Sequence, residues 1–262
     1  MSYHKGIISA FEKATDTYDE YAEIQNKVAD GLIASLIPWK EAVPSGPILE
    51  VGCGTGFVTE KLIQQFPDRE IIVTDASKRM LDKCKQKLQR TGIEHSKVSF
   101  KILNADDYNI EKDSFGLIIS GFTPHWFKDT SLALQNLSEG LIPGGFLLCS
   151  FPGNHTFPGW YEKCLELGLP HTANPLPDVE EIVVKLSMGP IQIDYYENDL
   201  YKEFEHSLEF FRYLKKTGES YSILGKSLSY KQFKLLIDHW DKTEDIKMKW
   251  HIVYVAAKRE FE

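Results

Sequence analysis

At 262 residues, with 42% hydrophobic and 12% aromatic side chains, the chain suffices for one packed α/β domain with decoration, or a core plus a small second lobe. Its net charge of -8 argues against nucleic acid as a general partner, because phosphate contacts need a surplus of Lys and Arg. The dispersed Cys53, Cys84, Cys149 and Cys164 form no Cys-x-x-Cys pair, so neither a metal site nor a disulfide framework is expected. No stretch is apolar for long enough to span a bilayer, and the reading is a soluble, cytoplasmic monomer with no membrane partner.

Residues 18–37 carry Tyr18, Tyr21, Ala22, Gln25, Val28, Ala29, Leu32 and Leu36 at the three-and-four spacing of an amphipathic helix. Gln25 breaks the apolar stripe with an amide. Pro38 and Pro44-Ser45-Gly46-Pro47 end the helix and make a linker. Alternation then begins: strand 48–51, helix 59–66, strand 71–74, helix 78–90, strand 98–103, strand 115–120 and helix 132–141. A turn at Pro143-Gly144-Gly145 leads into strand 146–151. Strands alternating with helices predict a mainly parallel sheet covered on both faces, with ligands at the carboxyl ends of the strands. After residue 151 prolines accumulate, and only 191–196 and 250–256 read as strands, with helices at 204–216 and 230–240. Four segments are expected: N-terminal helical residues 1–44, a ligand-binding core at 45–152, cap helices at 153–245 around a late strand near 191–203, and a closing core strand within 246–262.

The chemistry concentrates in Glu50-Val51-Gly52-Cys53-Gly54-Thr55-Gly56. Glycines at alternate positions fail the Gly-x-Gly-x-x-Gly spacing of a dinucleotide cradle, and no Gly-Lys-Ser/Thr follows to make a phosphate loop. With Glu50 ahead, the stretch resembles the first motif of class I S-adenosylmethionine-dependent methyltransferases. The resemblance implies a Rossmann-like, seven-stranded sheet and S-adenosylmethionine as cofactor. Gly52, Cys53, Gly54 and Gly56 would pass under its methionine part, with Glu50 at its amino group. Asp75 ends the second strand, where one carboxylate can accept bonds from both ribose hydroxyls. Ala76 and Met80 would line the adenine, Asp106 would take its exocyclic amine beside Ala105, and Ser120 and Gly121 would border the methionine moiety.

The flanks narrow the resemblance. The run from Phe11 to Ala22, Ser120-Gly121-Phe122-Thr123-Pro124-His125-Trp126, the helix Phe210-Phe211-Arg212-Tyr213-Leu214-Lys215-Lys216 and the terminal Lys249-Trp250-His251-Ile252-Val253-Tyr254 resemble the BioC-type malonyl-acyl-carrier-protein O-methyltransferases of biotin synthesis. His125, Gly121 and Lys216 depart from that pattern, where Gln, Asn and Gly are usual. The resemblance implies transfer of a methyl group to the free carboxylate of malonyl-acyl carrier protein. The alternatives are a small-molecule carboxyl methyltransferase or a non-catalytic cofactor-binding subunit. Arg212 is the expected two-pronged grip on the carboxylate, Tyr18 a hydroxyl donor closing over the cofactor, and His125 a hydrogen-bond partner of a substrate carbonyl. Lys215, Lys216, Lys226, Lys231 and Lys234 gather basic charge that an acidic carrier protein could meet.

Overall fold

The computed structural model describes residues 3–93, 96–242 and 246–261. Residues 1–2, 243–245 and 262, at the ends of three of the expected segments, lie outside the described residues. Strand β1 (Ile48–Val51) is buried at every position and pairs in parallel with β2 (Ile71–Asp75) on one side and β4 (Phe115–Gly121) on the other. Strand β3 (Val98–Ile102) extends the sheet beyond β2, and β5 (Leu141–Pro152) extends it beyond β4. Two long strands complete it, β6 (Ile191–Phe204) and β7 (Ile246–Arg259), with β7 antiparallel to both β5 and β6. The order is β3-β2-β1-β4-β5-β7-β6. The direction of winding reverses between β1 and β4, so the carboxyl ends of these strands open a crevice there.

Helices α4 (Phe57–Gln65), α5 (Lys78–Thr91) and α6 (Thr130–Ser138) make the crossovers of this sheet. One apolar cluster lies on each face, the larger holding Ile48, Leu117, Ile119 and Trp250, the other Leu49, Ile118, Leu147 and Phe151. Full burial of a side chain such as Phe151 or Phe210 contributes on the order of 2–3 kcal/mol.

Two expectations change. The N-terminal helix is broken: α1 (Tyr3–Ala14) precedes a short α2 (Tyr18–Tyr21), and α3 (Glu23–Leu36) follows a kink at Ala22, whose ψ of 44° leaves the helical region. The α1 stripe of Ile7, Ile8 and Phe11 is short and interleaved with Lys5, Gly6 and Glu12, so periodicity alone does not announce it. Pro143-Gly144-Gly145 makes an irregularity inside β5 rather than a turn before it, because Leu141 already pairs with Phe115. Within 153–245, the expected late strand joins the main sheet and one of the helices packs away from the cap. Strand β6 pairs with β7 along its whole length. Helix α8 (Val179–Leu186) packs on α6 and β6. Only α7 (Pro158–Glu166), α9 (Ser207–Lys216) and α10 (Tyr230–Trp240) gather over the far end of the sheet, locked by edge-to-face ring pairs Trp160–Phe211 and Phe211–Phe233, each 5.0 Å between centroids. Such pairs add about 0.5–1.5 kcal/mol beyond area burial.

Candidate active site

The loop between β1 and α4 is shaped by its glycines. Gly54 has φ +54°, a conformation that disfavours any Cβ, and a Cβ there would project into open space rather than against protein. Gly56 begins α4 with φ +97°, and a Cβ would stand 2.7 Å from the Cys84 sulfur. The loop amides are already used. Those of Gly52 and Cys53 donate to the Thr74 carbonyl at 2.9 Å, and that of Gly54 donates to Asp75 Oδ2 at 2.8 Å. The other Asp75 oxygen accepts from the Ser77 amide at 2.7 Å. Asp75 thus clamps loop to strand, while each of its oxygens keeps a lone pair for a ligand hydroxyl. Burial pushes the Asp75 carboxyl up to about 6.

A cavity of about 130 Å³ opens over this loop. Of the residues expected at the cofactor, Gly52, Cys53, Gly54, Asp75, Ala76, Met80, Ala105 and Gly121 line it, and so does Tyr18. Its roof is aromatic. The Tyr18 ring lies 6.5 Å from Phe11 and 6.3 Å from Phe57, and Phe11 meets Trp126 edge-on at 5.4 Å. Burial, reinforced by Glu219, Asp75 and Asp19, raises the Tyr18 phenol far above its ordinary value, so it stays protonated and a donor.

Glu50 lies behind the loop, only 1% exposed, beside Thr59 at the start of α4. Its Oε2 has no partner. Burial pushes this carboxyl up to about 8, with the Asp75 charge adding to the rise. An orphaned acidic oxygen, a loop floor kept clear of side chains and an acid at the next strand end suit a ligand bearing an ammonium group and a ribose. Among the described residues, no basic side chain lines the cavity other than the imidazole of His4.

Four expected site residues take other places. Gly56 lies below the cavity as the first cap of α4. Ser120 is wholly buried and donates its hydroxyl to the Val51 carbonyl at 2.8 Å, tying β4 to β1 instead of facing a ligand. Asp106 is turned from the cavity. Its Oδ2 meets His4 Nε2 at 2.6 Å and accepts the Lys128 amide at 3.0 Å, because α1 descends onto the end of β3. Arg212 is exposed and lines neither cavity, since α9 turns Phe210, Tyr213 and Leu214 inward and puts the intervening Arg212 on the outer face.

His125 faces a second, larger space of about 940 Å³ between the cap helices, the residues after β5 and the first residues of β7. Burial pushes its imidazole down to about 3, so it is neutral at pH 7, and its Nδ1 has no partner. Trp126 lines both spaces and marks where they meet. Sequence reasoning missed Thr123, whose hydroxyl donates to the Gly52 carbonyl at 3.0 Å, and Phe122, held at φ +51° on the cavity wall. A bulky residue at positive φ costs of order 1–3 kcal/mol and is kept only where the surroundings dictate it. No sequence signal announces that strain. Among the described residues there is no His/Cys/Asp/Glu cluster fit for a metal and no helix long and apolar enough to cross a membrane.

A doubly wound sheet with one reversed strand, and at its switch point a cradle with a buried acid, define a Rossmann-like methyltransferase. Residues 48–145 match the family described as a methyltransferase domain. A malonyl-[acyl-carrier protein] O-methyltransferase of Priestia megaterium is 31% identical over 81% of this chain and 80% of its own length. Another, of Bacillus cytotoxicus, is 25% identical over 95% of this chain and 90% of its own length. The chain belongs to the malonyl-[acyl-carrier protein] O-methyltransferase family. Among solved structures, the YcgJ protein of Bacillus subtilis superimposes with a TM-score of 0.63 over 89% of this chain and 100% of its own, at 16% identity, a likeness of fold.

Proposed function

We propose that this protein transfers the methyl group of S-adenosylmethionine to the free carboxylate of malonyl-acyl carrier protein, forming a malonyl methyl ester at an early step of biotin synthesis. The observation that carries the acceptor is where the likeness extends. The methyltransferase domain ends at residue 145, whereas the Priestia megaterium relative aligns over 81% of the chain and so reaches into the cap.

When bound, S-adenosylmethionine supplies a methyl group on a positively charged sulfur. The chain's own residues divide the rest of the work. Glu50 meets the ammonium group, Asp75 the ribose hydroxyls, Gly52 to Gly54 the methionine backbone, and Ala76, Met80 and Ala105 the flat face of the base. Asp106 serves instead to hold α1 over the cavity through His4. A carboxylate acceptor is ionised at neutral pH, its ordinary pKa being about four, so no general base is required. Positioning in a dry site is what remains for the protein to provide. Trp126 borders both spaces, which supports a reading with the acceptor's reacting end there and the neutral His125 imidazole beside it as a hydrogen-bond partner for a substrate carbonyl. The exposed Lys215, Lys216, Lys226, Lys231 and Lys234 surround the outer cap, and Lys226 lines the larger space, so an acidic carrier protein would meet complementary charge.

The test offers methyl-labelled cofactor with malonyl-carrier protein, malonyl-CoA and free malonate. Preferential labelling of the carrier-protein substrate is expected. Equal labelling of all three, or none on the carrier protein, overturns the acceptor assignment.

A further inference from the structure

Where the two spaces meet, a polar seam remains that the positioning described above leaves unused. Gln25 is 3% exposed and lines the smaller space, while Glu219 lines the larger. The Gln25 side-chain amide donates to the Glu219 carboxyl across this border. The Tyr213 hydroxyl donates to Gln25 Oε1 at 3.3 Å, and this bond fixes the carboxamide with its NH2 turned toward Glu219. Tyr18 belongs to the same nest, since Glu219 is the strongest of the charges acting on its phenol.

Glu219 is a costly occupant. It is the one carboxyl among the described residues lining the larger space, and the hydrogen bond it accepts comes from the neutral Gln25 amide and not from a cation. Glu219 is half-buried, and holding an acid partly out of water without a cation is unfavourable, so swinging the side chain further into the space it already lines relieves that cost. The Gln25 amide left behind would face a site sized for a carboxyl group on a methylene. A malonyl unit ends in that same CH2–carboxylate.

We propose that Gln25 is the donor that receives the acceptor's carboxylate at the border of the two spaces, and that the Glu219 side chain holds this place until the acceptor displaces it. The inference rests on the reading of the acceptor as a malonyl carboxylate. It assigns Gln25 to substrate binding and makes Glu219 an internal competitor. A merely structural latch between the N-terminal segment and the cap predicts the opposite sign, because breaking it would loosen the site.

The test is calorimetry with malonyl-pantetheine and with its methyl ester, in the presence of S-adenosylhomocysteine, on the wild-type protein, Glu219→Ala and Gln25→Leu. Glu219→Ala is expected to bind the acid roughly five- to tenfold more tightly and the ester unchanged, the gain of one freed hydrogen bond. Gln25→Leu is expected to lose about tenfold on the acid and nothing on the ester. Unchanged or weaker acid binding by Glu219→Ala overturns the proposal, as does an equal loss on acid and ester by Gln25→Leu. Glu219→Asp, one methylene shorter, serves if the alanine variant folds poorly, and the same gain in smaller measure is expected of it. Turnover separates this inference from the reading beneath it. A wild-type protein that methylates no malonyl thioester overturns the acceptor assignment. Free malonate then replaces malonyl-pantetheine as the probe, tighter binding by Glu219→Ala upholding the carboxylate subsite and its absence overturning it.

Discussion

Around the smaller space, the decisive contacts join β1, its loop and β2: the Gly54 amide to Asp75 and the Thr74 hydroxyl to the Glu50 carbonyl at 2.7 Å. Around the larger space, the walls come from stretches far apart in the chain, with His125 after β4, Phe157 before α7, Phe211 on α9 and Trp250 on β7. Phe157 and Trp250 meet edge-on at 4.9 Å although 93 positions separate them (250 − 157). The first region is set by hydrogen bonds between adjacent parallel strands, so single substitutions should abolish one function cleanly. The second is an aromatic assembly on a secondary layer, so its surface should tolerate change and its effects should be graded.

The sharpest break in that contrast is Gly54→Leu. The added side chain strains a positive φ and projects into the open space above the loop, so cofactor affinity should fall by at least roughly 100-fold while the fold survives. Titration calorimetry with S-adenosylmethionine checks the first part and thermal unfolding the second. Near-normal affinity would remove the loop from the cofactor site.

Glu50→Gln is next, with an expected loss of about tenfold in cofactor affinity at pH 8, the cost of a charge-assisted hydrogen bond. Its carboxyl is raised to about 8 in the free protein, and an ammonium group favours the ionised form. Affinity of the wild type should therefore rise from pH 6 to pH 8 with proton release, and the variant's should not. Buffers of different ionisation enthalpy measure that release. The sign for folding is the reverse. A carboxyl whose folded pKa is raised contributes fully below its unfolded value, and the contribution is lost as pH climbs to the folded value. Glu50 at about 8, Asp75 at about 6 and Glu219 at about 7 all push the same way. Unliganded protein should thus have a lower urea midpoint at pH 8 than at pH 5, with a smaller difference in Glu50→Gln.

Smaller effects belong to the cap surface. Reversing Lys231 and Lys234 to Glu together should weaken kcat/KM for malonyl-carrier protein about three- to tenfold at low salt, fading toward parity as ionic strength rises. Malonyl-pantetheine should be used unchanged. The smallest expected effect is Arg212→Ala. Because this side chain lies on the outer face of α9, turnover of malonyl-pantetheine should change less than about twofold. A loss of a hundredfold there would return Arg212 to the carboxylate.

The same contrast governs what could be read in advance. The alternate glycines, Glu50 and Asp75 were legible because the backbone geometry of a strand–loop–helix turn imposes residue types at fixed spacing, and the sheet then brings β1 and β2 ends together. Asp106 and Ser120 sit at strand ends as well, yet a strand end fixes position and not direction. The descent of α1 claimed one and the β1 carbonyl the other. Arg212 lies outside both spaces for a related reason. Its neighbours announce an apolar face, but only the packed cap settles which side of the helix that face occupies.

By itself, then, the amino-acid sequence determined the parallel core, the loop and its acids, and the chemical class of the donor, because these follow from local periodicity and from conformations that glycine alone adopts readily. The tertiary structure decided how α1, α2 and α9 close over the sheet, which expected residues face ligand, and that Gln25 and Glu219 meet across 194 positions of chain. Contacts of that span are chosen by the packing of whole elements, and a single stretch of sequence carries no record of its partner.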